Sequence, residues 1–300
     1  MQKSNLPAKL YKYCSFSANT LQVLSREEVY FANPASFNDP LDCKPTIDVN
    51  VDRLSLEKLF LKMLADKIGK EEALRRLQKC CDSSSEIGDY KTDIKAGEYY
   101  DLILASTIQN ELMREMSEVG VLSLAKHWHC PLMWSHYADQ HHGICIEYNT
   151  ANHMCTKMHI AIQAVGYNKP RAIKASDLVE WKLRDSIEAK NTIRDIFFFV
   201  KAKPWRYEQE WRALSNRVGL ECSPFQISAV YFGLRSANAV QTTLVKLFAD
   251  DYRRIKFYDV YAPDNNFSLK RRGVNIDEIK ACGVSSSPLR DFEDLTSDDT

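Results

Sequence analysis

Two stretches, Val121-Leu122-Ser123-Leu124-Ala125 and Gly143-Ile144-Cys145-Ile146-Glu147-Tyr148, frame the segment on which the fold turns. Both are short and rich in apolar or β-branched residues, and both read as strands. Between them lies a run with five of the seven histidines (127, 129, 136, 141 and 142) and with Trp128, Trp134 and Tyr137. Working outward, Leu10–Tyr13, Val29–Ala32, Ile160–Val165, Glu210–Ser215, Ile227–Phe232 and Ile255–Tyr261 also read as strands. The strands are short and mostly not separated by single crossover helices, which argues against a doubly wound parallel sheet.

Helical spacing dominates elsewhere. Leu56, Leu59, Phe60, Met63, Leu64 and Ile68 recur every three or four residues, predicting a helix over 54–81. A second long helix is expected over 89–118, with Tyr99, Ile103, Ile108, Leu112 and Met116 as its stripe and Asp82–Ser85 as the loop before it. Shorter helices are expected from Ser17, over 176–200, and from Ser236 to about residue 250. The reading is one α+β domain over 1–285, interrupted by a helical insertion at about 52–118 and followed by a disordered acidic tail at 286–300.

Composition bounds the function classes. Forty Lys+Arg balance forty Asp+Glu in 300 residues, which argues against a strongly basic nucleic-acid-binding domain but leaves room for a local basic patch. No apolar run reaches membrane-span length and the start lacks a signal peptide, so a cytoplasmic protein without membrane contact is expected. Nine cysteines without a Cys-x-x-Cys predict free thiols. No Gly-x-Gly-x-x-Gly or Walker loop supports a Rossmann or P-loop site.

Two segments carry candidate chemistry. The histidine run could hold zinc, but extended His127 and His129 would point to opposite faces and the other spacings fit a helix poorly, so no metal is expected. Trp134, Ser135, His136 and Tyr137 could instead line a cleft, with Trp134 and Tyr137 as core residues the plainer alternative. The second segment is Lys201-Ala-Lys-Pro-Trp-Arg-Tyr-Glu-Gln-Glu-Trp-Arg212. Strand alternation would place Glu208 and Glu210 on one face, where they repel unless partnered. Lys203, Arg206 and Arg212 are the candidate partners, and an exposed charged edge is the alternative.

Four motifs in order carry a resemblance: Leu10–Tyr13, Val29–Asp42 with its Asn38-Asp39-Pro40 turn, Met133–Glu147 and Trp205–Arg212. Together they resemble the bacterial family known as domain of unknown function 2971, over about residues 8–260. The order of strand motif, serine-bearing strand and Glu-x-Glu is also similar to the ADP-ribosyltransferase superfamily. That second resemblance implies a split β-sheet core and a bacterial toxin or phage-defence setting. It also implies NAD as substrate and no metal, and it leaves the acceptor open among a protein, a nucleic acid and water. It implies nucleotide-holding roles for Tyr11, Lys12 and Tyr13, where the superfamily has Arg or His. Ser123, or the Trp134–Tyr137 stretch, would sit beside the nicotinamide. Glu210 would be the catalytic carboxylate, with Glu208 its companion. Two other readings stand beside this one. The first is a metal-dependent nuclease or phosphodiesterase using Asp39, Asp42, His136 and Glu210. The second is a non-catalytic nucleotide-sensing module.

Overall fold

The computed structural model describes residues 6–88, 96–151, 153–155, 157–251 and 253–281. In chain order the elements are β1 (Lys9–Cys14), α1 (Ala18–Arg26), β2 (Glu28–Phe31), β3 (Ile47–Asp48), α2 (Arg53–Ile68), α3 (Lys70–Gly88), α4 (Ala96–Met116) and β4 (Gly120–Ala125). They continue as α5 (Pro131–Tyr137), β5 (Ile144–Asn149), β6 (Ala161–Ala164), β7 (Ile173–Lys174), α6 (Ala175–Arg184), α7 (Ile187–Phe199) and β8 (Glu210–Ser215). The last are β9 (Gly219–Cys222), β10 (Gln226–Phe232), α8 (Asn238–Phe248), β11 (Lys256–Tyr261), β12 (Lys270–Gly273) and α9 (Ile276–Ala281). Helices and mixed sheet make this an α+β protein, and no helix among the described residues is long and apolar enough to cross a membrane.

The chain gathers into two compact units. The first holds Val29–Ser123 and Cys155–Glu221. Its core is helical: Leu56, Leu59, Phe60, Met63 and Leu64 of α2 pack with Leu104, Ile108, Leu112 and Met116 of α4 and with Phe197, Phe198 and Phe199 of α7. Burial of side chains at this spacing is the main drive for the unit, about 1.5–3 kcal/mol for each large apolar group. Gly69, at φ +81, divides the helix expected over 54–81 into α2 and α3, since it adopts a left-handed backbone without a Cβ penalty. Asp52 caps α2 by accepting from the Ser55 amide. Asp185, at φ 56, likewise divides the helix expected over 176–200, and Ser186 caps α7.

Two helical expectations are corrected. The Asp82–Ser85 loop is helix within α3, because Ser84 and Ser85 donate their hydroxyls to the Cys81 carbonyl instead of breaking the ladder. The α4 stripe buries Tyr100 and Leu104 in place of the expected Tyr99 and Ile103. The strands of this unit are β6 antiparallel to β8, β3 parallel to β7, and β2 beside β9. Gly120 opens β4 where an added Cβ would lie 2.2 Å from the Arg217 carbonyl oxygen, so only glycine fits.

The second unit holds Pro7–Glu28, Leu124–Met154 and the chain from Cys222. Its strands run in the order β12-β11-β10-β5-β1, followed by the Leu124–Ala125 end of β4. β1 pairs antiparallel with β5 and β5 with β10, while β10 and β11 are parallel across α8. One sheet face carries Leu10, Ile144, Ile146, Tyr148, Val230, Phe232 and Phe257, all buried. The other carries Tyr11, Tyr13, Glu147, Tyr231 and Tyr258. Ser17 caps α1 as expected. Helix α8 starts two residues after the expected cap, and Ser236 Oγ is buried without a partner. The eight described cysteines are free, and Cys282 and the acidic tail lie outside the described residues.

Candidate functional site

The Glu-x-Glu segment enters its site through an irregular turn. After α7, Lys201 donates its amide to the Gly166 carbonyl, which fixes where its side chain starts. Pro204 helps open a 3-10 turn over Lys203–Glu208, and Gln209 closes it in a left-handed conformation at φ 43. Glu210 then begins β8, its amide donating to Tyr167 Oη at 2.8 Å. Glu208 and Glu210 therefore do not alternate along a strand, as strand spacing predicts. The left-handed residue between them turns both carboxylates inward, where they are 4% and 5% exposed.

Their partners are Lys201 and Arg212. Lys201 Nζ bonds Glu208 and lies 3.1 Å from Glu210 Oε2 and 3.6 Å from Asp42 Oδ2. Arg212, wholly buried, grips Glu210 with two nitrogens, Nε to Oε1 at 2.8 Å and Nη2 to Oε2 at 3.0 Å. The same Nη2 donates to Asp42 Oδ2 at 2.6 Å, and Nη1 donates to the Phe198 carbonyl at 2.7 Å. Ser123, on β4, hydrogen-bonds Glu210. Asp42 reaches the cluster from the turn after β2, where Asp39 Oδ1 accepts the Leu41 amide at 2.9 Å. Of the expected partners, Arg212 is present, but Lys203 and Arg206 are exposed and Lys201 takes the bridging role. The exposed charged edge is replaced by a buried network.

Three carboxylates thus meet two cations in the buried interior of the first unit. Burial pushes the Glu210 carboxyl up, but Arg212, Lys201 and the hydrogen bonds from Arg212 and Ser123 outweigh it and hold the pKa at about 2. Burial likewise opposes the charge on Lys201, yet Glu210, Glu208 and Asp42 keep its pKa above that of a free lysine. Burial raises the Cys43 thiol, which lies 3.2 Å from Arg212 Nη1. Glu210 is therefore ionised across the working pH range. It has no proton to donate, so it can stabilise positive charge but cannot serve as a general acid.

The remaining expected site residues belong to the second unit. Tyr11 and Tyr13 are buried on β1, Tyr11 edge-on to Tyr231 at 6.0 Å. Tyr13 Oη donates to the His127 carbonyl at 2.9 Å. Lys12 is half-buried on the opposite sheet face. Trp134 is wholly buried: its indole nitrogen donates to the Trp128 carbonyl at 2.7 Å, and its ring meets Tyr13 edge-on. Trp134 is thus a core residue, the plainer of the two alternatives for it. Ser135 and His136 are exposed and Tyr137 half-buried, with Ser135 Oγ 3.2 Å from His141 Nε2. His127 and His129 do not diverge as an extended chain would require; their rings sit 5.1 Å apart.

The phosphodiesterase set is not assembled as a ligand shell in the first unit. Asp42 and Glu210 are gripped by Arg212, and the Asp39 carboxylate holds its own turn. Among the described residues, no group of three or more His, Cys, Asp or Glu side chains is arranged to hold a metal ion. Sequence reasoning missed Lys201 as bridge, Asp42 as an ion-pair partner and Tyr167. Lys201 lies seven residues before Glu208, and its reach to the pair depends on the left-handed turn at Gln209.

No curated protein and no solved structure matches the chain. Residues 133–213 match the model of a family described as "Protein of unknown function (DUF2971)". That span carries α5 from Met133 on, Lys201, Glu208, Glu210 and Arg212, while Asp42 and Ser123 lie before it. The match is confined to these 81 of 300 residues, and most of the aromatic-histidine helix and all of the Glu-x-Glu segment fall inside it.

Proposed function

We propose that the chain cleaves the nicotinamide–ribose bond of NAD and transfers ADP-ribose, with Glu210 as the charge-stabilising carboxylate. The observation that carries this is the hydrogen bond from Ser123 on β4 to Glu210 at the head of β8. The ADP-ribosyltransferase resemblance pairs a serine-bearing strand with a strand beginning at glutamate in this way. In the reaction the C–N bond breaks, nicotinamide leaves with the electron pair, and positive charge builds on the ribose, as in glycoside hydrolysis. A fixed carboxylate facing that charge contributes roughly 3 kcal/mol. The acceptor nucleophile then forms the new bond at the same carbon and gives its proton to Glu208. Lys201 must leave the two carboxylates before the ribose can approach them.

Burial favours a second reading. With Glu210 5% exposed and Arg212 wholly buried, the same network can serve only to hold the first unit together. Incubation of the purified chain with NAD, with free nicotinamide measured by chromatography, separates the two. The first reading expects release that Glu210→Gln abolishes, while NAD affinity stays within about tenfold, roughly 1.4 kcal/mol. No release from the native chain, or full release from the Gln variant, removes Glu210 from the chemistry.

A further inference from the structure

We propose that the β11–β12 hairpin of the second unit is a binding arm for single-stranded nucleic acid. This inference rests on that unit alone and stands whether or not NAD is the substrate. Residues 254–273 carry five Lys or Arg against two Asp, a local excess of three positive charges in a chain whose net charge is zero. All four residues of β12, Lys270–Gly273, are exposed. Arg272 is 73% exposed and only 3.6 Å from Asp259 Oδ2, a surface pair of little strength. At the hairpin tip Phe267 is 98% exposed.

Aromatic faces lie beside these cations. Arg271 on β12 places its guanidinium 4.3 Å from the Tyr258 ring centre, 5.3 Å from Tyr231 and 5.7 Å from Trp128. Trp128 stacks on Tyr231 at 5.1 Å and an interplanar angle of 22°, and is itself half-buried, as is Tyr258. Beneath them, the buried Glu147 carboxylate accepts from Tyr231 Oη at 2.6 Å and Ser228 Oγ at 2.8 Å, and pairs with Lys9 at 2.7 Å. Arg271 also bonds Tyr231 Oη and lies 3.9 Å from Glu147 Oε2, so Glu147 offsets Arg271, and Lys270 and Arg272 are the β12 cations that face outward.

Charge on an edge strand also blocks pairing with other chains. That purpose explains Lys270 and Arg272, but it gains nothing from an exposed ring at the tip. A lipid surface would need several apolar side chains at one level, whereas among the described residues of this hairpin Phe267 is fully exposed and Tyr261 only 38% exposed. Cations that follow a phosphate backbone, next to flat rings on which bases stack, are what single strands require.

The test is fluorescence anisotropy of the full chain with labelled oligonucleotides of about 12 nucleotides, single-stranded and duplex, over a salt series. The proposal expects preference for the single strand. It expects log K against log salt to fall with a slope of roughly −2, from about three phosphates at 0.7 each. The Lys270→Glu/Arg272→Glu double variant should flatten that slope. Phe267→Ala and Trp128→Ala should each weaken binding about tenfold, within the range for one stacked base. Phe267 and the two cations are exposed, so unchanged melting curves verify that these variants fold. Absence of oligonucleotide binding overturns the proposal, as does binding that none of the variants changes. Cosedimentation with phosphatidylserine vesicles in place of oligonucleotide binding overturns it in favour of a membrane surface.

Discussion

Replacing Glu210 by Gln tests the electrostatics of the cluster independently of any activity. The native carboxyl is held at about 2 against an ordinary value of 4.5, a depression of about 2.5 units. At about 1.4 kcal/mol per unit this corresponds to roughly 3 kcal/mol. The sign follows from the direction. A depressed folded pKa gives stability that is fully present above about pH 4.5 and lost as the pH falls toward 2. At pH 3 the carboxylate still contributes roughly 1.5 kcal/mol. The Gln variant lacks this term, so its deficit against the native chain should be roughly 3 kcal/mol at pH 7 and about half that at pH 3. Urea denaturation at both pH values, followed by tryptophan fluorescence, measures the two gaps. A gap that is the same at pH 7 and pH 3, or that widens on acidification, would refute the claim that Glu210 is ionised and held by Arg212 and Lys201.

Two further outcomes follow from the same geometry. Lys201→Met leaves three carboxylates facing one guanidinium and should cost about 3–5 kcal/mol, more than Glu210→Gln, in the same urea assay. Asp39→Ala loses the bond to the Leu41 amide that shapes the turn before Asp42 and should lower stability by about 1 kcal/mol, read as a reduced Tm with no effect of manganese on either curve.

What the sequence revealed was what is local. Ser17 announces α1 because its hydroxyl needs only the amide of Thr20, three residues on. The strands around Tyr11, Ile146 and Val230 are visible because β-branched and aromatic residues cluster between turn signals. Periodicity overstates helix length, because the apolar pattern continues through Gly69 and Asp185 while the helical backbone does not. Ser84 and Ser85 misled in the opposite sense, since their preference for turns is met by bonding back to the Cys81 carbonyl within the helix. The site was half legible. Glu208 and Glu210 stood out as a pair that needs partners, and Arg212 as one of them. Lys201 required knowing that Gln209 is left-handed, and Asp42 required a contact that no local pattern encodes.

The 170-residue separation of Asp42 from Arg212 has a consequence for biosynthesis. At about 5–20 residues per second, Asp42 leaves the ribosome roughly 8–35 seconds before the guanidinium that neutralises it. Helices α2, α3 and α4 are all made in that interval. Their apolar faces are complete while the strand that carries Arg212 and the α7 phenylalanines they pack against are still untranslated. The first unit therefore closes late in translation, and the nascent helices are the stretch on which a chaperone would act.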